Sequence, residues 1–204
     1  MELLFAKEKN VSEGFKGKPG FGDIGTWVAI DADTTLIAAY LVGGRSAEYA
    51  KKFIDDLASR LTHRIQLTTD GHKAYLQVDY AMLEKTYAAP PREGQARYSQ
   101  ADCCGARKIN VQGDPDMAQV STSFVERHNV TMRMSMRRMT RLTNGFSKKL
   151  ENQAHAVALH VMQYNFCLIH QTLRVTPAME AGVSDHVWTL SEIVALLDQR
   201  GGHV

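Results

Sequence analysis

Two carboxylates and a run of cations are the residues best suited to chemistry in this chain. Asp70 sits in "LTTDGHKAY" (67–75), at the end of a short apolar run and just before a glycine. Asp-Gly is a common turn pair, which explains the acid without any function. An aspartate ending a strand at the carboxyl edge of a sheet is also placed to hold a metal. Glu126 opens a stretch of one charge sign. From Arg127 to Lys149 there are seven basic residues and no acid: Arg127, Arg133, Arg137, Arg138, Arg141, Lys148 and Lys149. A solvated face laced with ion pairs would mix signs. A one-signed stretch suits a polyanion, because each lysine or arginine can neutralise a phosphate and release a counterion. Phosphodiester chemistry with two metals needs carboxylates from separate elements, converging on ions ~3.5–4 Å apart. Hard divalent cations such as magnesium take oxygen ligands. Asp70 and Glu126 are therefore the candidate catalytic and metal-binding residues, and the seven cations the candidate DNA contacts.

The elements that must position these groups can be read from the pattern. "TWVAIDADTTLIAAYLVGG" holds two β-rich runs, 26–31 and 35–42, around a polar turn, and predicts a hairpin. "SAEYAKKFIDDLASRL" (46–61) opens on a Ser N-cap and repeats apolar residues at helical spacing. A short strand, "HRIQLTTD", leads to Asp70, and "DYAMLEKTY" (79–87) reads as the next strand. Residues 88–119 hold three of the five prolines, with three glycines, and read as an insertion with a short strand at "RKINVQG". Two long helices are expected, 121–142 carrying Glu126 and 147–170, then a break at Pro177 and a last helix over about 189–198. The order gives an α/β fold, an antiparallel hairpin feeding a partly parallel, mixed sheet flanked by helices. Met132, Met134, Met136 and Met139 are expected in the core, as are Trp27 and Trp188. His155, His160 and His170 lack metal-ligand spacing and read as structural.

Bulk properties narrow the partners. With 204 residues and 44% apolar content the chain can bury a real core. A net charge of +2 excludes a global charge argument for nucleic acid and leaves only local clustering. Three cysteines without Cys-x-x-Cys spacing support neither a zinc site nor a disulfide framework. No run approaches the ~18 apolar residues of a membrane span. A reducing, cytoplasmic setting without membrane attachment is the expectation, with homo-oligomerisation open.

At "WVAIDADT", "LTTDGHKAY", "SFVERHNVTMRMSMRRMTRLTNGFSKK" and "YNFCLIHQTLRVTPAMEAG" the chain closely resembles DDE transposases of bacterial insertion sequences, the insertion-sequence-one group in particular. The resemblance runs almost end to end. It implies an RNase H-like catalytic core over 1–204 that cuts and joins DNA at insertion-sequence ends and target, with magnesium or manganese. It places the second catalytic Asp at Asp70 and the catalytic Glu at Glu126, in favour of the metal-ligand reading.

Departures from the family pattern shape further expectations. The family's first Asp belongs to a strand matching "MELLFAKEKN", where no residue aligns with it, so the first strand is expected to be incomplete. Asp31 and Asp33 match a non-catalytic turn. The family's N-terminal DNA-recognition domain has no counterpart. Only eight residues, Gly71 to Val78, link Asp70 to Asp79, fewer than the dozen or so of a parallel crossover. This predicts an irregular link, or a helix running from 72 through "DYAML". Leu168 stands where relatives tend to carry Arg. Together these lead to a truncated transposase core with impaired catalysis. The alternative is a catalytically dead remnant that only binds DNA. A cellular RNase H-like nuclease is a weaker alternative, disfavoured by "YNFCLIHQTLRVTPA".

Overall fold

β-branched and aromatic residues crowd "TWVAI" and "IAAYLVG", and these pair antiparallel as β2 (Gly22–Ile30) and β3 (Ile37–Gly43). A computed structural model describes residues 2–5, 13–15, 22–69, 79–88, 103–139 and 149–200. It divides the chain into two units, Met1–Arg60 with Phe124–Val204, and Leu61–Ser123. In the first unit β1 (Glu2–Phe5) adds to the hairpin, giving the order β1-β2-β3. Asp31 shapes the turn. Its Oδ2 accepts from the Thr34 amide (3.0 Å) and hydroxyl, and its own N–H donates to the Leu36 carbonyl (2.9 Å). The turn closes on Thr35 at φ 57°, a costly conformation for a β-branched residue.

Helix α1 (Ala47–Arg60) follows, burying Phe53, Ile54 and Leu57. Alternation along the strands places Trp27 and Leu41 on one face of the sheet. Trp27 meets Phe53 there at a ring separation of 5.9 Å and donates to the Gly44 carbonyl at 3.0 Å. A Cβ at Gly43 would collide with the Tyr49 ring, so any larger residue there requires that ring to move. The opposite face carries Val28, Tyr40 and Val42. These pack on a core of Ile37, Met132, Met136, Met139, Val157, Val161 and Tyr164. That core joins the hairpin to α2 (Ser123–Ser135) and α3 (Leu150–Met162).

Both long helices are shorter than their sequence patterns. The expected 121–142 helix ends at Ser135 and tightens into a 3₁₀ turn, Arg137–Met139. This turn keeps Met136 and Met139 inward, but Met134 is 82% exposed, against expectation, because it lies on the face opposite His128 and Met132. The expected 147–170 helix is α3 followed by a single π turn, Gln163–Cys167, and extended chain at Leu168. Inside the π turn, Asn165 is buried. Its Oδ1 accepts from Ile37 N–H at 3.0 Å and its Nδ2 donates to Ile37 C=O at 3.1 Å. Thr176 caps the short α4 (Pro177–Glu180) through the Met179 amide, and α5 (Leu190–Arg200) closes the order. Trp27 and Trp188 are half-buried rather than fully enclosed.

The second unit holds β4 (Gln66–Thr69), β5 (Asp79–Tyr87) and β6 (Cys103–Gln112), in the order β4-β5-β6. β4 and β5 run parallel from Gln66↔Asp79 to Thr69↔Met82, while β5 and β6 run antiparallel. "DYAML" is thus a strand, which overturns the expected alternative of a helix through it. The link 70–78 lies outside the described residues. The start of β5 is pinned electrostatically. Asp79 accepts from Arg64 Nε (2.8 Å) and Nη2 (2.6 Å) and from the Asp114 amide (2.9 Å), and these bonds hold its carboxyl below the usual range. Tyr80 to Leu83 are all buried, and Ala81 and Leu83 cluster with Val120. β6 runs through the segment expected as an insertion and is longer than "RKINVQG". Among the described residues, then, the α/β fold has an antiparallel sheet in one unit and a mixed sheet in the other, in place of the single mixed sheet expected. No described helix is long and apolar enough to cross a membrane.

The Asn165 side chain gives a direct test of what joins the hairpin to the helices. Asn165→Ala strands a buried N–H and a buried C=O, and should cost roughly 2–5 kcal/mol. Urea unfolding should show this as a lower midpoint at unchanged slope. A loss below ~0.5 kcal/mol, the size of a bland surface change, would mean that Ile37 finds other partners.

Candidate functional site

Helix α2 presents two faces of different chemistry. His128 and Met132 are buried, and Met136 just beyond the helix continues that side. Glu126, Arg127, Val130 and Met134 are exposed on the other. Glu126 lies in the first turn. An acid there also complements the helix dipole, so its position has a structural as well as a chemical explanation. Glu126 is exposed, and a carboxylate is the kind of oxygen donor that a magnesium ion takes while keeping several of its waters. The donor chemistry therefore fits a hard divalent ion. Among the described residues no group of three or more His, Cys, Asp or Glu is arranged to hold a metal. Asp70 follows directly on the last residue of β4 but is itself outside the described residues, as are Arg141 and Lys148.

The remaining cations take distinct places. Arg127 is exposed beside Glu126, and Arg133 is half-buried. Arg137 and Arg138 are exposed on the 3₁₀ turn, where Arg138 Nη1 reaches the Asn152 carbonyl at 3.4 Å. Lys149 is exposed at the N-cap of α3, which has no side-chain cap. A helix N-terminus favours an anion, and a lysine beside it adds to that field.

On the buried side of α2, around His128, lies a group of rings that spacing arguments did not bring together. His128 meets Tyr164 edge-on at 4.7 Å and His160 at 5.6 Å. Tyr164 meets His170 edge-on at 4.8 Å, and His170 Nδ1 lies 3.5 Å from the Thr35 hydroxyl. Among the described residues neither nitrogen of His128 has a hydrogen-bond partner, and Nε2 of His160 and of His170 are likewise unpaired. Burial, helped by the charges His160 and His170 would carry, pushes the His128 pKa down to about 4. Burial also lowers His160 and His170 and raises Tyr164. All four rings are neutral near pH 7. They form a close-packed group that links the buried side of α2 to α3, the π turn and His170. His155 is exposed and separate from this group. One sequence signal for it was available: His160 and Tyr164 are four residues apart, the spacing that puts two side chains on one helix face.

No family model, curated protein or solved structure matches this chain.

The low His128 pKa makes stability pH-dependent in a definite direction. The unfolded chain takes up this proton near pH 6.5, whereas the folded chain holds out until about pH 4. Stability is therefore fullest above pH 6.5 and falls between those values, by about 3 kcal/mol at most. His128→Phe keeps the ring contacts and should flatten that part of the stability–pH curve, measured by urea unfolding. An identical slope in the variant would place the acid sensitivity elsewhere.

Proposed function

We propose that the chain is a DDE transposase-type catalytic core that binds DNA and cleaves it with a divalent metal. The observation that carries this is the exposed Glu126 in the first turn of α2, followed by Arg127, Arg137 and Arg138, all exposed, with no acid before Lys149. Asp70 adds support by its place in the chain, directly after a strand in a parallel pair. In open α/β sheets, ligands bind beyond the carboxyl ends of the strands. In this reading Asp70 and Glu126 hold magnesium or manganese. Bound there, the metal would supply Lewis-acid stabilisation at a phosphodiester. Arg127, Arg137, Arg138 and Lys149, with Arg133, Arg141 and Lys148, bind the phosphate backbone. Such contacts position DNA but carry no sequence information. The neutral rings under α2 hold the Glu126 turn in place.

Two measurements test this. Binding to a random-sequence duplex should weaken steeply as salt rises. Arg127→Ala, Arg137→Ala and Arg138→Ala together should reduce the slope of log K against log salt by about 2–3. Unchanged binding in the triple variant would make these arginines a solvated face. On supercoiled plasmid with magnesium or manganese, the chain should produce nicks slowly, as impaired catalysis requires, and Glu126→Gln and Asp70→Asn should each abolish them. Salt-sensitive binding without metal-dependent nicking would identify a DNA-binding remnant. Absence of both would overturn the proposal.

A further inference from the structure

Helix α5 begins in a capping box. Thr189 Oγ1 accepts from the Glu192 amide at 3.3 Å, while Glu192 Oε2 accepts from the Thr189 amide and hydroxyl, both at 2.7 Å. The second oxygen of Glu192 points elsewhere. Its Oε1 lies 2.8 Å from Nε2 of His186, and Nδ1 of the same ring lies 2.6 Å from Asp185 Oδ1. A neutral imidazole has one N–H and one lone pair, so it can donate to only one of these carboxylates. Only the imidazolium donates to both. The ring also stacks on Trp188, at 6.3 Å and 13°. Trp188 is tied in turn by Nε1 to the Ser184 hydroxyl (3.0 Å), by its amide to the Phe166 carbonyl (2.9 Å) and by its ring to Phe166 (4.9 Å). One histidine thus connects the first turn of α5 to a segment anchored on the π turn.

We propose that His186 is a pH-operated latch: as imidazolium it bridges Asp185 and Glu192 and holds the first turn of α5 to residues 184–188, and loss of its proton releases that turn. The titratable groups around it are Asp185 and Glu192, with Cys167 of the π turn close enough to feel Glu192. Burial first and then the Glu192 charge push the Cys167 thiol up, so it stays neutral. Hydrogen bonds from Thr189, and then from His186, hold Glu192 at about 2, and His186 keeps Asp185 low. Near neutral pH His186 is therefore the group of this set that changes charge. Asp185, then Glu192, raise its pKa above the ordinary value of 6.5. Its contribution is complete below pH 6.5 and disappears as pH rises through the raised folded-state value. Leu190, Val194 and Leu196 are exposed on α5. The latch therefore sets how firmly an apolar helix surface is held in place, whatever the rest of the unit acts on.

The test combines imidazole nitrogen shifts with amide exchange on the full chain. His186 should titrate above 6.5. Protection of the Glu192 and Ile193 amides, corrected for intrinsic exchange, should fall about two- to fivefold between pH ~5.5 and ~8.5, the scale of an exposed ion pair. The fall should follow the His186 titration. His186→Gln sits on the surface, leaves the fold intact and should remove the pH dependence. A His186 titration at or below 6.5, equal protection at both pH values, or an unchanged pH dependence in His186→Gln would each overturn the latch.

Discussion

One carboxamide decides how the first unit is put together. A strand edge needs a partner for its N–H and its C=O, and Asn165 supplies both to Ile37 from a helix. A carboxamide can do this because it carries a donor and an acceptor in one plane, as a peptide does. The π turn makes the arrangement possible. It carries an extra residue compared with an α turn and so changes which residues after Met162 face inward. The neighbours Tyr164 and Asn165 are both buried there, one packed among rings and the other on the strand.

The site reading depends on the same joint. Through Tyr164, the π turn supports His128, and His128 is the dry side of the helix turn that exposes Glu126 and Arg127. The two faces separate charge from packing. Groups that must stay uncharged are buried together, and groups that must stay charged are left in water. Imidazoles fill such a floor with broad flat surfaces, and burial lowers the pKa of each, His128 to about 4. The burial that packs these rings together also makes the floor sensitive to acid.

Much of the local structure was legible in the sequence, and the reasons differ by element. The hairpin was readable because β-branched runs flank "DADT", where Asp31 forms the turn that its residue type favours. Helix α1 was readable because Phe53, Ile54 and Leu57 recur at helical spacing. Helix ends were not. Periodicity carries on through Ser135 and Met162, while the 3₁₀ and π turns that stop α2 and α3 answer to tertiary packing. The strand at "DYAML" was the preferred reading, but chain-length reasoning left a helix open. It gave no weight to the Arg64–Asp79 pair, which fixes where β5 begins. Residue type and charge sign made Glu126 and the arginines stand out. The His128, His160, Tyr164 and His170 group escaped notice because its members come from two distant parts of the chain and share no motif.

The Asn165–Ile37 bond spans 128 residues of sequence, and that distance has a consequence for synthesis. At ~5–20 residues per second, a ribosome needs roughly 6–26 s to travel from one partner to the other. For most of that interval, until α2 and α3 are made, the hairpin exists without the helices that cover Val28, Tyr40 and Val42. The second unit lies wholly within the interval. Its parallel pair closes over a short stretch of chain, Gln66 to Asp79, so it forms from contacts close in sequence. The part made in the middle can therefore complete its sheet while the part made first still waits for the part made last.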